Sequence, residues 1–327
     1  MNSAIRNSAI RWMLVALASL VALPLAAVAQ SYPDKPVRVI VVFPPGGSND
    51  VTARIVFNKM DQVGGQQFIV DNRGGASGTI GATIVSESPA DGYTVMVQST
   101  THIANAYMYK GKIKYDTLKD FIGVTPLAKQ IGMLVVHPSM PVNSVQQLID
   151  LANERPGEIN YGSAGLGSYV HLAMAMFVSM SGTKIVHVPY RGGGPLAVAL
   201  MAGEVGATIS TIGSSIRYIK DGRMRALGVT SEKRVTQFPE VPAIGEAIPG
   251  FEFTAWVGSF VPAGTPRPVV NKLNALLKQT LADPEVSSKL INATLEPMYM
   301  TPEQYEKRLQ ADYNRYGKLM KEIGLVK

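Results

Sequence analysis

The feature that most constrains this fold is a short apolar strand that runs into a proline–glycine turn and then into a helix. Residues Val37–Phe43 are rich in β-branched side chains, which predicts a buried strand that ends at Pro44–Gly47. The two glycines of this turn allow positive φ and a close approach to a ligand. Ser48, Asn49 or Asp50 can then cap the following helix. A helix N-terminus behind such a turn predicts an anion-binding site.

Apolar strand-like runs alternate with helix-like segments along the chain, which predicts an α/β fold with parallel sheets covered by helices. A second strand, Ile159–Ala164, leads into the glycine turn Gly165–Ser168 and a helix over Tyr169–Ser179. Two such units, one in each half of the chain, are expected to face each other across a cleft. Further strands are predicted at Gln67–Val70, Thr94–Gln98, Gly132–Val136, Ile185–Val188, Ala207–Ser210 and Ala226–Thr230, and further helices at Val51–Val63, Gly78–Glu87, Val145–Glu154, Pro195–Ala202, Ser214–Asp221, Pro266–Leu281, Pro284–Leu290 and Pro302–Ile323.

Residues 1–29 have the pattern of a secretory signal peptide. Arg6 and Arg11 precede the apolar stretch Trp12–Val28, which ends in small residues, so cleavage is expected near Ala29/Gln30. The alternative is a single transmembrane anchor, for which this stretch is short. The pattern therefore predicts an exported protein in the periplasm.

Composition excludes several classes of site. The chain has no cysteine, so it has no disulfide, no thiolate metal site and no lipid anchor through Cys. Its 31 lysines and arginines against 24 acidic residues suit an anionic small ligand. The basic residues form no face with interleaved aromatics, so we predict no nucleic-acid partner.

One glycine-rich stretch could suggest a nucleotide-binding site. Gly75-x-x-Gly78-x-x-Gly81 follows a strand, but it lacks the G-x-G-x-x-G spacing and the later acidic residue of a dinucleotide site. Close helix–sheet packing explains its small residues better. No Walker-type sequence occurs, and we expect no cofactor.

Ser168 and His171 are the candidates for catalysis, because they lie three residues apart in the first turn of the helix that follows the second glycine turn. A Ser–His pair is possible there, yet the turn is not a G-x-S-x-G elbow, and a capping serine explains Ser168 without chemistry. No histidine pair has metal-ligand spacing. We therefore predict neither a catalytic residue nor a metal ligand. Arg191 either reaches into the cleft or holds its own loop, and Trp256 either walls a pocket or fills a core.

Several stretches match one family in the same order along the chain. The sequence resembles the extracytoplasmic solute receptors of tripartite tricarboxylate transporters, the Bug or TctC-like receptors. The matching stretches are Tyr32–Pro36, Phe43–Gly47 with Asp50 and Arg54, Val70–Gly75, Pro89–Tyr93, Ser163–Ser168 with His171 and Leu172, Val188–Gly192, Pro239–Pro242 with Glu246, Trp256, and Pro262–Pro266.

The resemblance implies a two-domain periplasmic-binding-protein fold, type II-like, that closes on one ligand in the cleft between the domains. The first domain would comprise residues 30–131 and 254–327, and the second residues 132–253. In such receptors, backbone N–H groups and bound waters of two strand–turn–helix units hold a ligand carboxylate. Carried onto this sequence, the ligand-binding residues are Phe43, Pro45, Gly46, Gly47, Ser48, Asn49, Asp50, Thr100, Thr101, His102, Ser163, Ala164, Gly165, Gly167, Ser168, His171, Tyr190, Arg191 and Ser210.

One position departs from the family pattern. Members commonly carry Asp where Ser210 stands in this sequence. Without that negative charge, the cleft disfavours amino acids, so the expected ligand is a carboxylate or dicarboxylate without an amine, aromatic acids included.

The resemblance further implies a monomer that hands its ligand to membrane permease subunits. Two alternatives stay open: a periplasmic sensory binding protein, and an exported hydrolase that uses Ser168 and His171.

Overall fold

The computed structural model describes residues 32–326. The predicted signal peptide, residues 1–29, lies outside these residues and stays a prediction. In the described part of the chain, no helix is both long enough and apolar enough to cross a membrane.

The strands form two separate sheets. Sheet A has six strands in the order β11-β4-β10-β3-β1-β2, and sheet B has five in the order β7-β6-β8-β5-β9. The strands are β1 Val37–Val41, β2 Phe68–Asn72, β3 Thr94–Ser99, β4 Phe121–Gln130, β5 Gly132–Val136, β6 Asn160–Ser163, β7 Val186–Pro189, β8 Ala207–Thr211, β9 Arg225–Val229, β10 Ala255–Pro262 and β11 Leu295–Pro297.

Both sheets are mixed rather than parallel throughout. The predicted parallel pairing holds for β1 with β2 and β3, and for β6 with β7 and β8. The strands that lead from one sheet to the other, β4, β5, β9 and β10, pair antiparallel with their neighbours. Ile131 alone separates β4 from β5, so the chain passes into sheet B without the helical crossover that a parallel pair requires.

The helices lie close to their predicted positions. They are α1 Ser48–Gly64, α2 Thr79–Ser86, α3 Thr101–Met108, α4 Val145–Glu154, α5 Tyr169–Ser181, α6 Gly193–Met201, α7 Ile212–Lys220, α8 Arg267–Leu281, α9 Pro284–Asn292 and α10 Pro302–Glu322. Helix α3 was not predicted, because its sequence follows β3 directly without a strong capping signal.

Strands β4 and β10 were also missed, and their sequences explain why. Pro126 interrupts the pattern of β4 and Gly258 that of β10, and both residues normally argue against a strand interior. The structure pairs Pro126 with Gly258 beside a shift of register, so a local irregularity accommodates the missing N–H of the proline.

The small residues of the Gly75–Gly81 stretch serve packing, as predicted. A Cβ at Gly78 would lie 2.8 Å from a methyl of Val42, and one at Gly81 would lie 2.7 Å from the carbonyl oxygen of Arg73. Helix α2 therefore packs closely against the end of β1 at these two positions.

The two sheets, each with its helices, form a two-domain fold; we call them domain A and domain B after their sheets. The chain passes between them at Gln130–Gly132 and again between Val229 and Ala255. We call these two passages the hinge segments, because a rotation of one domain against the other would have to bend the chain there. The exact limits given above for the domains remain a prediction.

Candidate functional site

The first glycine turn, residues 43–50, leads from β1 into α1. The N-cap of α1 is Gly47, with φ −78° and no capping side chain, so the prediction that Ser48, Asn49 or Asp50 caps this helix is wrong. All three lie in the first helical turn. Within residues 32–326, their backbone N–H groups have no hydrogen-bond partner, since the first bond of the helix runs from Val51 N–H to the Gly47 carbonyl. The turn thus presents free donors at a positive helix end.

Asp50 organises this turn from within. Its Oδ2 accepts from Gly46 N–H at 2.9 Å, and its Oδ1 accepts from Arg54 Nε at 3.0 Å and from Asn72 Nδ2 at 2.9 Å. Burial by itself raises the pKa of Asp50, but the bonds from Gly46, Arg54 and Asn72 outweigh it and lower the pKa. The carboxylate is therefore ionised and fully occupied, and the arginine balances its charge.

The second glycine turn, residues 163–168, leads from β6 into α5. Ser168 is the N-cap, and its Oγ accepts from His171 N–H at 3.2 Å. The N–H groups of Ala164, Tyr169 and Val170 have no partner within the described residues. The second unit thus repeats the arrangement of the first: a strand, a glycine turn and a helix N-terminus with free donors.

His171 does not pair with Ser168 through its ring. Its Nδ1 accepts from Gly167 N–H at 3.0 Å, and the ring stacks on His187 with the centroids 4.0 Å apart. The hydroxyl of Ser168 meets the backbone of His171 instead. The side-chain bond that the hydrolase alternative requires between these two residues is therefore not formed, because the serine serves as a cap and the imidazole holds the turn.

His187 supports the second turn and was missed by sequence reasoning. Its Nε2 lies 2.7 Å from Ser163 Oγ, and that hydroxyl also accepts from Gly165 N–H at 3.2 Å. Burial lowers the pKa of His187, and burial together with the charge of His187 lowers the pKa of His171 to about 4. Both rings are thus neutral near pH 7. The place of His187 on β7 could have predicted this role, because β7 lies parallel to β6 and brings His187 close to Ser163.

The carboxyl ends of the parallel strands gather further predicted residues beside the second turn. Tyr190 N–H donates to the Ser163 carbonyl at 2.9 Å, which fixes the start of the loop that carries Arg191. At the end of β8, Ser210 Oγ lies 2.9 Å from Ser214 Oγ, and Thr211 Oγ1 lies 2.7 Å from the same atom. Ser214 and Thr211 were missed, although a run of hydroxyl residues directly after a strand is a usable signal.

The predicted residues after β3 lie deeper than expected. The His102 ring has no exposed surface, packs edge-on against Phe121 with centroids 4.9 Å apart, and has Nε2 3.2 Å from the Thr117 carbonyl. The ring thus lies in the core of domain A, and the expectation that His102 contacts the ligand stays a prediction. Thr100 and Thr101 begin α3 and are buried as well.

Each glycine turn borders the junction of the two domains. Gln130 Nε2, at the first hinge segment, donates to Ser48 Oγ at 3.1 Å. On the opposite side, a Cβ at Gly167 would lie 2.8 Å from Cγ of Met108 in domain A. The two turns therefore belong to different domains and both reach the surface where these domains meet.

Comparison with known proteins identifies the chain. Residues 52–325 match the family described as tripartite tricarboxylate transporter family receptor. The chain belongs to this family. Its fold and its family are those of solute-binding receptors.

Relatives of this receptor agree with that assignment. It is 39% identical over 297 residues to the UPF0065 protein in the tcbD-tcbE intergenic region of Pseudomonas sp. strain P51, covering 90% of this chain and 88% of the relative. An R. palustris protein solved with adipate superposes with a TM-score of 0.84 at 35% identity, covering 90% of this chain and 98% of that one. MatC from Rhodopseudomonas palustris, with bound malate, gives 0.79 at 28% identity, with coverage of 88% and 99%.

The receptor also has two surface cavities away from the two glycine turns. A surface cavity of about 300 Å³ lies between α1 and α9, and another of about 260 Å³ lies at the hinge between Lys129 and Glu232. Charged side chains of both signs line each of them. Among residues 32–326, no three histidine, aspartate or glutamate side chains come together as a metal site would require.

Proposed function

We propose that this receptor binds a small organic carboxylate or dicarboxylate between its two glycine turns and delivers it to the permease of a tripartite tricarboxylate transporter. One observation carries the proposal: two helix N-termini, one in each domain, border the same junction, and each has N–H groups without a partner among residues 32–326. Backbone donors at a helix N-terminus favour an anion without any cationic side chain.

The charge balance of the first turn supports a ligand with its own negative charge. Asp50 is held by Gly46, Arg54 and Asn72, so the N–H groups of Ser48 and Asn49 are available to a carboxylate. Since the arginine offsets the aspartate, the helix end keeps its positive potential. A carboxylate oxygen that accepts two such N–H groups gains charge-assisted hydrogen bonds.

The hydroxyl group cluster of Ser210, Thr211 and Ser214 suits the far end of the ligand. These three side chains are uncharged and lie at the carboxyl edge of sheet B, beside the second turn. Hydroxyls donate to a carboxylate but give an ammonium group no counter-charge. Dicarboxylic acids without an amine, such as the adipate and malate of the two solved relatives, therefore suit this site better than amino acids do.

We also propose the compartment in which the receptor acts and the partners that it meets. The protein acts in the periplasm as a monomer, binds its ligand without changing it, and meets the permease subunits in its closed form. A sensory role, in which the closed form contacts a signalling membrane protein, is the second candidate. The genes beside its own distinguish the two, since permease subunits support transport and a sensor kinase supports signalling.

Isothermal titration of the protein without residues 1–29 tests the ligand class. The panel is adipate, malate, benzoate, aspartate and glutamate. We expect binding of at least one acid without an amine, and weak or absent binding of the two amino acids. Tight binding of aspartate or glutamate, with none of the other acids, would contradict the proposal.

Ser48→Pro tests the role of the backbone N–H groups. Proline is favoured at the first position of a helix, and Gly47 before it has φ −78° and ψ 167°, which proline tolerates. The variant removes one N–H with little strain, and Ser48→Ala is its control because both lose the contact with Gln130. A hydrogen bond to a charged group contributes about 1.5–3 kcal/mol, so Ser48→Pro should bind about ten- to hundredfold more weakly than Ser48→Ala. Equal affinities would remove this N–H from the site.

A further inference from the structure

One side chain of the second glycine-turn unit reaches both hinge segments. Tyr169 is the first residue of α5, directly after the N-cap Ser168. Its hydroxyl donates to the Phe253 carbonyl at 3.0 Å and lies 3.0 Å from Thr230 Oγ1. Thr230 Oγ1 in turn accepts from Gly132 N–H at 2.8 Å.

These bonds form one continuous chain. Since the tyrosine proton goes to the Phe253 carbonyl, the Thr230 hydroxyl donates to the tyrosine oxygen and keeps a lone pair for Gly132. Each of these two hydroxyl groups therefore donates one hydrogen bond and accepts one. Gly132 stands at the first hinge segment, while Thr230 and Phe253 bracket the second, and Phe253 N–H donates to the Thr230 carbonyl at 2.9 Å.

The fit around the hydroxyl is tight. A Cβ at Gly132 would lie 2.6 Å from the Tyr169 oxygen, so the hydroxyl touches the hinge backbone itself. Tyr169 is 7% exposed, and its ring packs on Phe253 with centroids 5.5 Å apart. The Phe253 ring packs in turn on Tyr316 of α10 in domain A, with centroids 5.9 Å apart.

We propose that Tyr169 is a positioning residue that couples the ligand-binding turn of domain B to the hinge. The inference rests on the proposed function. The backbone N–H of Tyr169 is one of the free donors of the second turn, and its hydroxyl holds both hinge segments at one point. A hinge rotation changes the backbone at Gly132 and Thr230, and it therefore moves the first turn of α5. A ligand that orders this turn favours the matching hinge angle in return.

The test compares variants that remove single hydroxyl groups. Tyr169→Phe and Thr230→Val each break the chain of bonds, whereas Thr230→Ser keeps it. Tyr305→Phe is the control, because Tyr305 is also a buried tyrosine and its hydroxyl has no partner within the described residues. Thermal unfolding of each variant verifies that it is folded.

The distance between the domains is the main readout. The chain has no cysteine, so Asn153→Cys in α4 and Lys272→Cys in α8 give two unique sites for spin labels. We expect Tyr169→Phe and Thr230→Val to broaden the distance distribution of the ligand-free protein, while Thr230→Ser and Tyr305→Phe match the parent. With adipate or malate, the first two should also release ligand about tenfold faster, and their double variant should add little to either.

Unchanged distances in both Tyr169→Phe and Thr230→Val overturn the inference, whether or not any carboxylate binds. A Tyr305→Phe effect of equal size overturns it as well. If the parent protein binds none of the acids but the distances still broaden, the hinge role stands and the proposed ligand class falls.

Discussion

At the scale of single residues, the hydrogen bond that the buried His171 ring makes depends on the protonation state of the ring. Its Nδ1 accepts from Gly167 N–H, which only the neutral ring allows. Burial, and then the neighbouring His187, lower the pKa to about 4, against about 6.5 in an unfolded chain. As the pH falls from about 6.5 towards 4, the unfolded chain takes up the proton first. The free energy of unfolding therefore falls in that window.

We expect His171→Asn to flatten this pH dependence. Asparagine places an oxygen near the position of Nδ1 and keeps an acceptor for Gly167, but it does not titrate. The slope of the unfolding free energy between pH 6.5 and 4 should fall by up to about 1.4 kcal/mol per pH unit. Urea denaturation at several pH values measures it.

The control for this prediction is His171→Gln. Glutamine also lacks a titrating ring, but it places no acceptor at the Nδ1 position. It should flatten the slope equally and lose about 1 kcal/mol of stability near pH 7.5, because Gly167 N–H loses its partner. Parent-like slopes in both variants would show that the ring does not titrate as described.

At the scale of elements, the N-terminus of α7 is where domain B touches domain A on the side of the hydroxyl cluster. A Cβ at Gly213 would lie 2.8 Å from the Ala293 carbonyl oxygen and 3.0 Å from Thr294 Oγ1. Ala293 and Thr294 follow α9 in domain A. A glycine thus allows the two domains to approach closely here, and a larger residue would keep them apart.

Gly213→Ala should therefore weaken ligand binding without weakening the fold. Helix α7 itself tolerates alanine well, but overpacking at the domain contact costs about 1–2 kcal/mol. We expect a loss of about five- to thirtyfold in affinity for adipate or malate by titration, with little change in the melting temperature, because the ligand-free protein can relieve the clash by opening at the hinge segments. Gly194→Ala is the matched control, since Gly194 is likewise the second residue of its helix, α6, and a Cβ there meets nothing within 4 Å. Equal affinities of the two variants would show that the bound form does not need this contact.

At the scale of the whole molecule, a lysine loop adds a positive field at the domain junction. Lys110, Lys112 and Lys114 are exposed, and none pairs with a carboxylate in the described part of the chain. The loop follows Met108, which lies against Gly167 of the second turn. A like-charged cluster beside a cleft raises the association rate of an anion.

Replacing all three lysines of this loop by glutamine should slow ligand association. We expect a decrease of about three- to tenfold at an ionic strength of about 0.01 M and a smaller one at 0.15 M, because salt screens exposed charges. The dissociation rate should stay the same in stopped-flow measurements.

The control removes three charges at the opposite edge of sheet B, with Lys184, Lys220 and Arg223 replaced by glutamine. Lys184 precedes β7, Lys220 ends α7 and Arg223 precedes β9, so all three lie at the ends of these elements opposite to those that carry the turns. This variant should associate nearly as fast as the parent. An equal slowing of both variants would point to net charge alone.

Much of the fold was predictable because local patterns matched the final structure. The strand–turn–helix units at Val37–Asp50 and Ile159–Ser179 carry their own signals, and both formed. What was not predicted depended on contacts distant in sequence. Strand β4 was not predicted because Pro126 argues against a strand, and its partner Gly258 lies far along the chain. His102 was predicted to contact the ligand, whereas Phe121 and Phe260 pack against its ring in the folded protein. The hydroxyl chain at Tyr169 depends on three segments that only the folded hinge brings together.

Strand β10 carries a natural optical probe. Without residues 1–29, the protein has one tryptophan, Trp256, directly after the second hinge segment. Its indole Nε1 donates to Asp312 Oδ2 at 2.8 Å, and its carbonyl accepts from Thr100 N–H at 3.1 Å. The indole is 1% exposed. Because this single emitter lies beside the second hinge segment, its fluorescence wavelength and intensity should report the proposed domain closure in real time, in unlabelled protein.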